Sequence, residues 1–131
     1  MTGQKSVMVV NGKQKVYVVN EVTFHCGTNA TLHFIGGKWK SVIVWYLRNG
    51  KMRFSTLKKL MPDITEKMLS LQLKALQADG IVLRQVFGTK PPNRVEYSLT
   101  HFGESLVPVV QKITEWGINY AESHGSLIDY P

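Results

Sequence analysis

The feature that most constrains the fold of this chain is a pair of short predicted helices joined by a very tight turn. The first helix is expected over residues 55–61, with Ser55 as its N-cap. Pro62-Asp63 forms the turn, because proline cannot continue a helix. The second helix is expected over residues 65–79. Two short helices joined in this way are typical of a helix-turn-helix.

Two strand-like runs follow the second helix, at residues 82–87 and 94–99. The connection between them, residues 88–93, is polar and rich in glycine and proline, which predicts the tip of a hairpin. A hairpin in this position is the wing of a winged helix-turn-helix, and its polar end is suited to phosphates or a minor groove. Its candidates for DNA contact are Lys90, Asn93 and Arg94.

The positive charge of the chain is concentrated in the same region. The 131 residues include 16 lysines and arginines against 9 acids, a formal charge of +7. Residues 36–94 hold twelve of the basic residues and three of the acids, a charge of +9, whereas residues 1–35 carry +2 and residues 95–131 carry −4. This segregation fits a module that binds phosphates through its middle region. Chance clustering of solvated lysines is the alternative explanation.

The second predicted helix supplies the residues expected to read DNA. Leu69, Leu73 and Leu76 recur at i, i+4 and i+7 and form its buried stripe. The opposite face would enter a major groove, which is wide enough to admit an α-helix. Thr65 is the expected N-cap and would present the first backbone N–H groups to a phosphate. The other candidates for DNA contact on this helix are Lys67, Ser70, Leu71, Gln72 and Lys74.

Two further helices are expected upstream of the helix-turn-helix. One covers residues 29–35, with Thr28 or Asn29 as its cap, and the other covers residues 38–48. The apolar stripe predicted for the longer one is Trp39, Val42, Ile43, Tyr46 and Leu47. Polar residues outside the second helix of the turn add candidates for the DNA backbone, although solubilising charge explains the lysines equally well. These candidates are Lys38, Lys40, Arg53, Ser55, Lys58 and Lys59.

The first 25 residues are expected to form an extension of their own. Residues 7–19 contain two β-rich runs around Asn11-Gly12, a dipeptide that tolerates the positive φ of a tight hairpin turn. We therefore divide the chain into an N-terminal β-hairpin extension (residues 1–25), a winged helix-turn-helix DNA-binding domain (26–103) and a C-terminal dimerisation helix and tail (104–131). The predicted fold class is mainly α with a small β-wing, an α+β protein.

The last predicted helix begins after Thr100, runs to about Ser123 and carries few charges. Its apolar stripe is longer than one small domain can easily bury. A two-fold partner would cover the remainder and would space two recognition helices about 34–36 Å apart, one turn of DNA. Packing on its own domain alone is the alternative. The predicted dimer contacts are Leu106, Val109, Val110, Ile113, Trp116 and Tyr120.

The only cysteine, Cys26, follows His25 and precedes the first predicted helix. A helix N-terminus and a nearby imidazolium both favour the reactive thiolate, so Cys26 is a candidate sensor of oxidants or electrophiles. A small buried hydrophobe at a dimer contact is an equal explanation. A single cysteine excludes an intrachain disulfide and points to a reducing compartment.

Signatures of enzymes are absent from the sequence. The four histidines show no metal-ligand spacing with Cys26 or with each other, and no H-E-x-x-H, Walker A or dinucleotide-binding pattern occurs. We therefore expect neither an enzyme nor a metal or cofactor. The longest apolar run is six residues (42–47) against the roughly 20 that span a bilayer, and the N-terminus lacks a signal-peptide pattern. A cytoplasmic protein without membrane contact is expected.

Five motifs occur in a fixed order over roughly residues 26–120. They are Cys26 with Gly-Gly-Lys-Trp at 36–39, Arg-Phe-Ser-Thr-Leu at 53–57, Ile-Thr-Glu-Lys-Met-Leu at 64–69, Leu-Lys-Ala-Leu-Gln-Ala-Asp-Gly at 73–80, and Pro-Pro-Asn-Arg-Val-Glu-Tyr-Ser-Leu-Thr at 91–100. Together they make the sequence resemble the HxlR-type winged helix-turn-helix transcriptional regulators. The chain departs from the family in Gly27, where proline is usual, and in its longer, hairpin-like N-terminus.

The resemblance implies a bacterial or archaeal homodimer that binds a pseudo-palindromic operator in double-stranded DNA. In some members of the family a cysteine at the position of Cys26 senses oxidants or electrophiles, but the effector of this chain is unknown. Two other classes of protein stay open. One is a protein-interaction module on a winged-helix scaffold. The other is a thiol-dependent enzyme, whose turnover a Cys26→Ser substitution would abolish.

Overall fold

The computed structural model describes residues 9–131, which form six helices and three separate two-stranded antiparallel sheets. The strands are β1 (Val9–Val10), β2 (Lys13–Gln14), β3 (Tyr17–Val19), β4 (Val22–Phe24), β5 (Val82–Phe87) and β6 (Arg94–Leu99). The helices are α1 (Gly27–Ile35), α2 (Lys40–Leu47), α3 (Phe54–Leu60), α4 (Glu66–Ala78), α5 (His101–Glu104) and α6 (Val107–His124). Within this part of the chain, no helix is long and apolar enough to cross a membrane.

One apolar core joins the first four helices to the wing and to the start of α6. The stripe predicted for α4 is confirmed, because Leu69, Leu73 and Leu76 are all buried. Ile81, which directly precedes the wing, and Leu57 of α3 are buried in the same core. The three leucines therefore lock α4 onto the body of the domain and leave its opposite face outward.

Helix α2 lies at the centre of this core. It packs against α1, α3, α4, α6 and β6, so more than one of its faces is covered. Ile43 and Leu47 are buried as predicted, but Val44 is buried as well, although it lies outside the predicted stripe. The remaining stripe residues are half-buried at the margin of the core: Trp39, Val42 and Tyr46. A single amphipathic stripe understates burial for a helix that is covered on several sides.

Strands β5 and β6 form the wing with the bounds that the sequence predicted. Their register runs from Val82 opposite Leu99 to Phe87 opposite Arg94. A further bridge joins the wing to the segment before α3. The Met52 amide donates to the Tyr97 carbonyl at 2.9 Å, and the Tyr97 amide donates to the Met52 carbonyl at 2.8 Å. The wing is therefore hydrogen-bonded to the helix-turn-helix as well as being connected to it in sequence.

The N-terminal extension contains two hairpins rather than the single predicted one. Asn11 and Gly12 have φ values of 54° and 73°, and β1 pairs with β2 across them, which confirms the predicted turn. Residues 7 and 8 of the predicted run lie outside the described residues. The second hairpin pairs β3 with β4 around Asn20 and Glu21, which also have positive φ. The sequence does not signal this second turn, because the turn contains no glycine.

Two predicted helix caps are wrong. Helix α1 begins two residues earlier than expected, and its N-cap is Cys26, whose Sγ accepts the Asn29 amide at 3.5 Å. The Asn29 side-chain oxygen instead accepts a hydrogen bond from the His25 amide at 3.2 Å, so a residue inside the helix also holds the segment that precedes it. Helix α3 begins at Phe54 with Arg53 as N-cap, so Ser55 lies inside its first turn.

The predicted C-terminal helix is divided in two. Thr100 caps the first part as expected, because its Oγ1 accepts the Gly103 amide at 2.9 Å. Pro108 stands in the first turn of α6, where it lacks an amide hydrogen and its ring would clash with the carbonyl four residues earlier. Gly103 lies so close to the wing that a Cβ there would overlap the Ile81 carbonyl. Pro108 explains the break between α5 and α6, and the close contact with Ile81 explains why residue 103 is glycine.

Candidate nucleic-acid interface

The turn between α3 and α4 is anchored by two buried apolar side chains, Met61 and Ile64. The Ile64 amide donates to the Met61 carbonyl at 3.2 Å, which closes the turn around the exposed Pro62-Asp63. Thr65 is the N-cap of α4 as predicted, and its Oγ1 accepts the Met68 amide at 3.0 Å. The first turn of α4 is thereby fixed relative to the core.

The outward face of α4 consists of Lys67, Leu71 and Lys74, which are all exposed. They lie opposite the buried leucine stripe, as expected from about 100° per residue. The two other candidates on this helix lie at its flanks, where Ser70 and Gln72 are half-buried. The Gln72 amide nitrogen is engaged with the Met68 sulfur at 3.4 Å. We call Lys67, Leu71 and Lys74 the α4 face.

The wing brings together charged groups that are far apart in the sequence. Arg94 Nε lies 3.3 Å from Glu96 Oε2, and Lys51 Nζ lies 3.3 Å from Glu96 Oε1. The Arg94 guanidinium and the Lys51 ammonium also lie 4.9 Å and 5.4 Å from the centre of the Phe87 ring. The predicted contact residue Arg94 is thus already held by a carboxylate and an aromatic ring.

The other predicted contact residues lie in three places. Lys90 and Asn93 are exposed at the wing tip. Lys38 and Lys40 precede or begin α2, and Lys38 Nζ lies 4.8 Å from the centre of the Trp39 ring. Ser55 is exposed in the first turn of α3. Lys51 is not among the predicted contact residues, because only the Met52–Tyr97 bridge brings it beside the wing.

Helix α6 divides the predicted dimer contacts into two groups. Leu106 and Val110 are buried in the core of their own chain, so the assignment of these two residues to a partner is wrong. Exposed fractions of the other four range from 38% at Val109 to 70% at Trp116. The Trp116 and Tyr120 rings stack with centroids 5.6 Å apart. The exposed group, which we call the α6 face, is Val109, Ile113, Trp116 and Tyr120.

Cys26 is half-buried at the junction between β4 and α1. Its carbonyl accepts the Ala30 amide at 3.0 Å, while its sulfur occupies the position that a serine or threonine oxygen takes in a common N-cap. Among residues 9–131, no three His, Cys, Asp or Glu side chains are grouped so that they could hold a metal ion.

The N-cap of α4 gives a direct test of this geometry. Thr65→Ala should lower the free energy of unfolding by about 1 kcal/mol, because the Met68 amide loses its acceptor. Thr65→Ser, which keeps the hydroxyl, should retain most of that stability. Urea denaturation followed by circular dichroism measures both variants. Equal stability of Thr65→Ala and the unmodified chain would contradict the assigned cap.

Comparison with known proteins gives a consistent answer. The family model described as HxlR-like helix-turn-helix matches residues 34–125. The HTH-type transcriptional regulator YkvN of Bacillus subtilis is 48% identical over 99 residues, which cover 76% of this chain and 83% of YkvN. An HTH-type transcriptional regulator of Methanothermobacter thermautotrophicus is 41% identical over 95 residues, which cover 72% of each chain.

Solved structures agree with the family match. The redox regulator HypR in its oxidized form matches with a TM-score of 0.68 and 44% identity, covering 78% of this chain and 100% of HypR. The reduced form of the transcriptional regulator YodB from B. subtilis matches with a TM-score of 0.62 and 32% identity, covering 75% of this chain and 96% of YodB. The family and these relatives are regulators rather than enzymes. The chain therefore belongs to the HxlR-like helix-turn-helix family and is a transcriptional regulator with a winged-helix fold.

Proposed function

We propose that this regulator binds a specific, pseudo-palindromic site in double-stranded DNA as a homodimer, with α4 in the major groove and the wing beside it. The observation that carries this proposal is the α4 face, which presents two lysines and a leucine opposite three buried leucines. Lysines contact phosphates or guanine edges, and an exposed leucine offers an apolar contact to a thymine methyl group. A face built only for solubility would not need the leucine.

Charge supports the same orientation. The segment from residue 36 to residue 94, which contains α4 and most of the wing, carries +9. Exposed lysine at the wing tip extends this positive surface beyond α4. Glu66, in the first turn of α4, is the exception, because a carboxylate beside DNA is costly unless it accepts from a cytosine amino group. We therefore propose that the Glu66 carboxylate either stabilises the N-terminus of α4 or accepts a hydrogen bond from a cytosine amino group.

A homodimer is supported by the α6 face. Its four apolar side chains are exposed on a long helix that is anchored at its start by Leu106 and Val110. The buried Leu106 and Val110 lie at the start of α6, whereas the exposed Trp116 and Tyr120 lie further along it. The helix can therefore pack on its own domain at its start and on a partner beyond it. A second copy would cover the α6 face through a two-fold interface. It would also supply the second α4 that a palindromic site requires.

The α4 face is tested by replacing its lysines. After a preferred duplex has been selected from a random-sequence library, Lys67→Ala and Lys74→Ala should each weaken binding by about tenfold and reduce the salt slope by about one ion. Lys13→Ala removes the same charge from the N-terminal hairpin and should bind nearly normally. Fluorescence anisotropy at several salt concentrations measures the affinities. Salt-insensitive or absent binding by the unmodified chain would favour the protein-interaction module instead.

The α6 face is tested by its oligomeric state. Trp116→Asp should convert the dimer to a monomer, because it places a charge in the apolar contact. Gln111→Asp adds a charge to an exposed position on the opposite side of α6 and should leave the dimer intact. Sedimentation equilibrium measures both masses. A monomeric unmodified chain, or a Trp116→Asp variant that stays dimeric, would argue against the proposed interface.

We further propose that Cys26 makes DNA binding respond to thiol oxidation. HypR is named as a redox regulator, and Cys26 is the only thiol in this chain. Diamide would oxidise two thiols to one disulfide and take up their two hydrogens as a hydrazine. With one cysteine per chain, that disulfide joins two subunits or one subunit and a small thiol.

The proposed thiol response is tested with Cys26→Ser. Serine keeps an acceptor at the N-cap of α1, so the variant should fold and bind DNA like the unmodified chain before treatment. Diamide should change the DNA affinity of the unmodified chain, and dithiothreitol should restore it, whereas Cys26→Ser should not respond. The same change in both proteins, or in neither, would refute the response.

A further inference from the structure

A cleft of about 230 Å³ opens where the N-terminal extension meets the end of α4. Val19 and Val22 of the second hairpin line one wall, and Ala78 and Asp79 at the end of α4 line the other. Aromatic side chains complete it: Phe24, His33 and Phe34. The hairpin wall lies outside residues 34–125, which the family model matches, so part of the cleft comes from outside the matched region.

Asp79 gives the cleft a negative end. It is half-buried as the C-cap of α4, where the carbonyl ends of the helix already concentrate negative partial charge. Within residues 9–131, its carboxylate has neither an ion-pair partner nor a side-chain hydrogen bond. A cation bound beside this carboxylate would be attracted both by its charge and by the carbonyl end of α4.

The aromatic side chains favour the same kind of ligand. Phe24 is 6% exposed, and its ring meets His33 edge-to-face with centroids 5.3 Å apart. His33 meets Phe34 in the same manner at 4.8 Å. Aromatic rings attract ammonium groups, and the exposed His33 and the half-buried Phe34 are the rings that a ligand in the cleft can reach. Val19 and Val22 add apolar surface for a hydrocarbon body.

We propose that this cleft binds a small organic cation, an ammonium group attached to one aromatic or alkyl body. Asp79 selects a positively charged ligand, and the two valines and the aromatic rings select one with an apolar body. The volume of the cleft limits the size of the ligand. A cleft of about 230 Å³ is smaller than the usual range of roughly 300–1,000 Å³ for drug-sized ligands, so one ring with its head group fills it. The cleft shares no residue with the α4 face or the α6 face, so its binding can be tested without DNA.

Benzyltrimethylammonium is a suitable probe for the full-length chain, and benzyl alcohol is its neutral counterpart with the same ring. Calorimetric titration at pH 8 should show binding of the cation and at least fivefold weaker binding of the alcohol. Amide signals of the second hairpin and of the end of α4 should shift in a ¹⁵N-resolved NMR titration. Shifts confined to other regions, equal binding of both compounds, or no binding of the cation would overturn the proposal.

Two isosteric variants locate the charge. Asp79→Asn should weaken binding of the cation by about fivefold, as the loss of one nearby opposite charge predicts, and should leave the alcohol unaffected. Asp129→Asn removes the same charge from the exposed tail and should bind like the unmodified chain. Thermal unfolding of each variant shows that the fold is retained. Equal affinity of Asp79→Asn and the unmodified chain for the cation would refute the assigned site.

Discussion

The packing of three leucines on one side of α4 is the interaction on which the rest of the arrangement depends. Leu69, Leu73 and Leu76 are buried against a core that α2 supplies, and they fix the rotation of α4 about its own axis. Residues along a helix are about 100° apart. If the buried stripe were shifted by one residue, the whole helix would rotate by about that angle, and Lys67 and Lys74 would no longer face outward. The apolar interior thus decides which polar side chains face outward.

The two ends of the chain relate to this core in different ways. At the C-terminal end, α6 begins inside the core and then leaves it, so its later apolar side chains remain exposed. At the N-terminal end, the second hairpin contributes a single buried side chain, Phe24, against α1. The extension is therefore held mainly by one aromatic anchor, while the domain itself has a continuous interior.

The sequence predicted best those elements whose limits are local. The wing strands were predicted with their observed bounds because glycine and proline delimit their connection, and the cap of α4 was predicted because threonine precedes a clear leucine period. Predictions failed where tertiary contacts or unusual residues determine the turn, the cap or the burial of a side chain. Asn20-Glu21 forms a turn without glycine, and the Cys26 sulfur replaces a hydroxyl as a cap. Nothing local distinguishes Val110, which the domain buries, from Ile113, which it leaves exposed.

The reciprocal hydrogen bonds between Met52 and Tyr97 have a consequence for how a surface of this shape meets DNA. A two-stranded hairpin joined to its domain only at its ends could move relative to that domain. This hairpin is also hydrogen-bonded to the segment that precedes α3. The lower part of the wing is therefore held beside the helix-turn-helix. Under the proposed mode of binding, the spacing between the wing and α4 determines which duplexes can contact both elements at the same time. The protein would respond to the width and curvature of the duplex between its two points of contact, in addition to the bases that α4 touches.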